Sequence, residues 1–200
     1  MIPEYDVEMH QRVSTRWIGM PGEEVLGFSE EEDDQGIDTR FLASNHQYED
    51  YRWLDWENVA RQITIERYLL EKADTQSKNA QEFEEFCSGV EGKIRDLGDI
   101  HEILHFDVGV SALTALTSAM GGAPMNSCRG HTRNKAAPGV AFYTTTKAAK
   151  AFFEYCKEFG CAIQHIRLEH YLPIHGLEIK ARSVTPLLDL AEAMYHKFRR

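Results

Sequence analysis

The sequence predicts an α+β fold: a helical hairpin, then two helix–strand–strand units that form one sheet with helices on one face. Three observations predict it. Two long segments between residues 55 and 98 carry apolar side chains at helical spacing. In the last hundred residues, helical spacing alternates with short apolar runs bounded by glycine and proline. Those runs also repeat. Gly122-Ala123-Pro124-Met125 aligns with Gly160-Cys161-Ala162-Ile163 at an offset of 38, and Gly139-Val140-Ala141-Phe142 with Gly176-Leu177-Glu178-Ile179 at 37. The chain therefore divides into an arm (1–50), a hairpin (51–98) and a duplicated α+β unit (99–200).

The arm comes first and is acidic. Residues 1–50 hold thirteen acidic and three basic side chains, so they carry the whole net charge of -10; residues 51–200 balance. The densest block is Glu30, Glu31, Glu32, Asp33 and Asp34. Like charges at this density repel and resist folding, so the arm reads as extended, with short strands near 16–18 and 25–28. The block suits a protein partner with a basic surface, and its sign disfavours direct nucleic-acid binding. Tyr48, Tyr51, Trp53 and Trp56 then read as packing where the arm meets the core.

Asp55 reads as the N-cap of a helix to about 73, with Trp56, Val59, Ile63 and Leu70 on one face. A second helix spans about 77–97, with Phe83, Phe86, Val90, Ile94 and Leu97 at helical spacing and Gly98 as its stop. Asp107 is expected to cap a helix ending at Gly121-Gly122. Strands follow near 123–128 and 140–145, a helix over 147–159, and strands near 161–168 and 177–181. Thr185 is expected to cap the last helix, with Pro186 at its first position.

No run reaches the roughly 18 apolar residues that a membrane span needs. Cys87, Cys128, Cys156 and Cys161 form no Cys-x-x-Cys pair, and the first residues do not read as a signal peptide, so the expected location is the cytoplasm.

The chemistry-bearing motif is Ser127-Cys128-Arg129-Gly130-His131, between a helix end and an apolar strand. Cys128 and His131 are zinc-type ligands, and His165 on the second unit could approach them. His101-Glu102-Ile103-Leu104-His105 matches His-Glu-x-x-His; on a helix, His101 and His105 share a face and hold zinc, with Glu102 as general base. Its neighbours Gly98, Asp99 and Asp107 instead set that segment between helices. Zinc is the cofactor these residues would take. The alternative chemistry is anion binding by Arg129, Arg133 and Lys135 around the free N–H groups at Gly130.

The stretch 113–142 has a helix, Gly121-Gly122, the turn Asn126-Ser127-Cys128-Arg129-Gly130-His131 and the strand Gly139-Val140-Ala141-Phe142. It resembles poorly characterised bacterial and phage-encoded α+β domains in which a helix and a glycine precede a Ser-Cys-x-Gly-His turn. It is also similar, more distantly, to the Ser-Cys-Ser-Gly-Arg turn of the wybutosine-synthesis tRNA-modifying family. Arg129 stands here for that family's second serine, and His131 for its arginine. The resemblance implies an α+β fold and, through the first group, a setting in bacterial conflict or defence. The function expected is that of an accessory or regulatory protein acting through partner binding. The alternatives are a metal-dependent hydrolase or nucleotide- or RNA-processing enzyme at the Ser-Cys-Arg-Gly-His turn, and a phosphate-ligand sensor.

Overall fold

The computed structural model describes residues 1–9, 11–12, 54–96, 106–144, 146–167 and 175–199. In chain order the elements are β1 (Gln11–Arg12), α1 (Trp56–Gln76), α2 (Ala80–Asp96), α3 (Ser111–Ala119), β2 (Ala123–Cys128), β3 (Gly139–Tyr143), α4 (Thr146–Glu158), β4 (Ala162–Arg167), β5 (His175–Lys180) and α5 (Val184–Phe198). The fold is α+β, as the sequence predicts. The acidic block at 30–34, the two short strands expected in the arm, and His101 and His105 lie outside the described residues.

α1 begins where Asp55 predicts. Its Oδ1 accepts the N–H groups of Glu57 (2.9 Å) and Asn58 (3.0 Å), and Asn58 Oδ1 accepts the Asp55 N–H in return (3.0 Å). The helix runs to Gln76, past the expected end, and the Ser77 N–H closes it on Ala73 O. α2 starts at Ala80, three residues later than expected, because Ser77 ends the helix before it.

The sheet order is β1-β4-β5-β3-β2. β2–β3 and β4–β5 are antiparallel hairpins, joined through antiparallel β3 and β5 with Val140 opposite Ile179 and Phe142 opposite Leu177. The two helix–strand–strand units thus meet along their second strands, which is the pairing expected of pseudo-twofold halves. β1 adds a short parallel edge to β4 that the sequence reading did not contain.

Alternation along the strands divides the two faces. Val140, Phe142, Ile163, Leu177 and Ile179 are buried against the helices, and one core joins them to Val59, Ile63, Leu70, Phe83 and Cys87 of the hairpin. Hairpin and sheet therefore share a core. α3 sits at its centre, with Ser111 through Ser118 all buried. Arg67 of α1 ties to Asp189 (2.8 Å) and Glu192 on α5. Half-exposed pairs of this kind contribute little, about 0–1 kcal/mol.

The opposite sheet face carries Ala141, Gln164, Glu178 and Lys180, and the chain's first residues cross it. The Ile2 N–H donates to Asp74 Oδ1 (2.9 Å) and the Tyr5 N–H to Arg182 O (2.7 Å). Tyr5 and Val7 form a small second cluster with Ala162 and Ala137.

Two expected caps differ. The residue before α3 is Val110, with no side-chain cap, and Asp107 instead accepts the N–H of Arg129 (3.2 Å). The residue before α5 is Ser183, so Thr185 and Pro186 lie inside its first turn. Among the described residues, no helix is long and apolar enough to cross a membrane.

Candidate functional site

The Ser-Cys-Arg-Gly-His turn leaves β2 at Cys128 and packs against α2. One face of α2 presents Glu84, Ser88 and Glu91, spaced four and three apart, so all three point to the turn. Arg129 is only 5% exposed, and its Nη1 donates to Glu91 Oε1, on a residue 7% exposed. Its Nη2 donates to Ser88 Oγ (2.8 Å). Glu91 also accepts the Val108 N–H (2.8 Å). Burial pulls the Arg129 pKa down, but the carboxylates of Glu91 and Asp107 outweigh it and hold the group above its ordinary value. It is a fixed cation that locks the turn, α2 and the 106–110 segment together.

Beyond Arg129 the chain turns sharply at Gly130, whose φ is +89°. A Cβ there would sit 2.7 Å from Ala136 O and 3.0 Å from the Tyr5 ring, so the position needs glycine for both its conformation and its space. His131 and Ala136 then exchange backbone hydrogen bonds (2.9 and 3.1 Å) to make a small finger, 131–136. The Thr132 N–H donates to Glu84, which pins the finger to α2. His131, Arg133, Asn134 and Lys135 are exposed on it.

The expected site residues are thus distributed as follows. Arg129 and Gly130 build the turn. Arg133 and Lys135 stand on the finger with His131. Cys128 is half-buried, and its Sγ accepts the Gly130 N–H (3.3 Å). His165 is on β4 opposite Leu177, on the helix-facing side, while Cys128 pairs with Gly139 at the far edge of the sheet. β5 and β3 lie between them, so the structure does not bring His165 to Cys128 and His131. Among the described residues, no three His, Cys, Asp or Glu side chains are grouped to hold a metal ion.

Burial, then the carboxylates of Asp107 and Glu84, push the Cys128 thiol up, against the pull of the Gly130 N–H and the Arg129 cation. The thiolate is the reactive form, so Cys128 is expected to alkylate more slowly than an unhindered thiol such as glutathione at neutral pH. Iodoacetamide labelling followed by peptide mass analysis checks this. Labelling at Cys128 faster than glutathione at pH 7 would show an activated thiol instead.

Sequence reasoning missed a second polar site. Glu66 and Gln62 lie in the apolar stripe of α1 and are 2% exposed. Glu66 Oε1 accepts the N–H groups of Gly109 (2.6 Å) and Ser111 (2.7 Å), and Oε2 that of Ala112 (2.9 Å). Ser111 Oγ donates to Gln62 Oε1 (2.6 Å). Glu66 is therefore the cap of α3, supplied from another helix. Burial pushes its pKa up to about 7, although those backbone N–H groups pull the other way. The signal was present: a glutamate in line with Val59, Ile63, Leu70 and Ala73 needs buried donors.

No family model, curated protein or solved structure matches the chain.

Proposed function

We propose that this protein is an accessory or regulatory protein that acts by binding a protein partner, with its α+β body as a scaffold and the 131–136 finger as a contact surface. One observation carries the reading. Behind the turn, Glu91 and Ser88 hold the two Nη groups of Arg129 and Glu84 holds the Thr132 N–H, while His131, Arg133, Asn134 and Lys135 face solvent. A rigid base with an exposed polar tip is what recognition requires, since ordering costs are met before binding. The acidic block at Glu30–Asp34 adds a preference for a basic partner surface. The turn's resemblance to bacterial and phage-encoded domains directs the search to conflict systems.

The test is photo-crosslinking in bacterial cells. A photoreactive residue is placed at Asn134 and, as a control, at Tyr68, which is exposed on α1. A protein adduct is expected at 134 and not at 68, weakened when Glu30, Glu31, Glu32, Asp33 and Asp34 are all replaced by serine. Identical adduct patterns at both positions would overturn the reading.

A further inference from the structure

A cleft of about 350 Å³ lies on the sheet face away from the helices, between the chain's first residues and the finger. It is lined by Asp6, Glu8, Lys135, Gln164, Glu178 and Lys180, with Val7 and small side chains between them. Its size falls in the range of small-molecule sites. The floor is self-compensated: Glu178 accepts from Lys180 Nζ (2.8 Å) and from the Gln164 amide. The walls are not. Among the described residues, neither the Asp6 carboxylate nor the Lys135 ammonium has a hydrogen bond or ion pair, and they do not pair with each other. Asp6 belongs to the segment held at Tyr5 by Arg182 O, and Lys135 to the finger closed by the His131–Ala136 bonds. The cleft therefore offers one unpaired acceptor and one unpaired donor from separately anchored walls.

We propose that this cleft binds a small zwitterion, a molecule carrying one ammonium and one carboxylate, from the class of free amino acids and short peptides. Asp6 takes the ammonium and Lys135 the carboxylate, and the bound molecule supplies the pairing each wall lacks. This site shares Lys135 and Ala136 with the finger proposed as the partner surface, but not Asp6, so a variant at Asp6 separates the two.

The full-length protein is titrated by two-dimensional amide NMR with each standard amino acid and with triglycine, to about 10 mM. Acetate and methylammonium serve as single-charge controls. At least one zwitterion is expected to shift amides at 6–8, 135–137, 164 and 178–180, and to bind about tenfold tighter than either control. Response to triglycine alone assigns the site to peptides, and response to an amino acid alone assigns it to free amino acids. Asp6→Lys and Lys135→Glu are each expected to weaken binding about tenfold, and the double variant, with the two charges exchanged, to recover it. Both positions are exposed, so the variants retain the fold. Absence of response to every zwitterion, or binding unaffected by either single variant, overturns the proposal.

Discussion

Glu66→Ala is expected to destabilise the protein by about 3–5 kcal/mol, because three buried backbone N–H groups at the start of α3 lose their acceptor. Urea unfolding followed by circular dichroism measures it, and the melting temperature should fall by roughly 10 °C in a chain of this size. Glu66→Gln should cost less, about 1–3 kcal/mol, since the amide oxygen still accepts while the NH₂ meets one backbone donor. The pH dependence separates this group from others. Its folded pKa of about 7 lies above the ordinary value of 4.5, so the folded state keeps a proton that the unfolded chain releases. The Glu66 contribution is therefore fully present below about pH 4.5, declines as pH rises toward 7, and then levels off. Its amplitude is about 3 kcal/mol. Glu66→Gln should remove that decline; the same slope in both proteins would show that burial does not raise this carboxyl.

Arg129→Ala is the second large effect, with an expected loss of about 3–5 kcal/mol, since Glu91 would stay buried without its cation. Removing the charge from both partners should cost less than removing it from one. The pair Arg129→Met with Glu91→Gln keeps an acceptor for the Val108 N–H and buries no charge, so it should recover about half of the single-variant loss. A double-mutant cycle by urea unfolding gives the coupling. Strictly additive losses would mean that the two side chains do not act as a unit.

These two residues mark where sequence reasoning ended. Its rules are local, and local elements were legible: β2 falls at 123–128 as expected, Asp55 caps α1, and the repeat offsets anticipate two hairpins joined into one sheet. Asp107 is expected to cap the helix ending at Gly121-Gly122, yet that helix begins four residues later and takes its acceptor from Glu66, 45 residues before Ser111. No spacing rule shows a bond of that separation. Glu84, Ser88 and Glu91 carry no signal in the sequence because nothing near them requires burial; their partners, the Thr132 N–H for Glu84 and Arg129 for Ser88 and Glu91, arrive from the turn after β2. His165 looked available to Cys128 because the repeat placed it on a matching unit, and only strand order puts β5 and β3 between them. The turn itself was legible as special from Gly130, but what it faces depended on topology.

The capping of α3 from α1 has a consequence for how the molecule opens. At nine residues α3 is shorter than the roughly 12–15 that an isolated helix needs in water. Its first donors are satisfied only when α1 is in place, and the β2–β3 hairpin follows directly from its end. Fraying of α3 alone would strand a buried carboxyl in α1, and departure of α1 would uncap α3. Neither helix has a cheap route to partial opening. Amide exchange at the start of α3 is therefore expected to report global unfolding rather than local breathing, which makes the central helix a clock for the opening of the whole core.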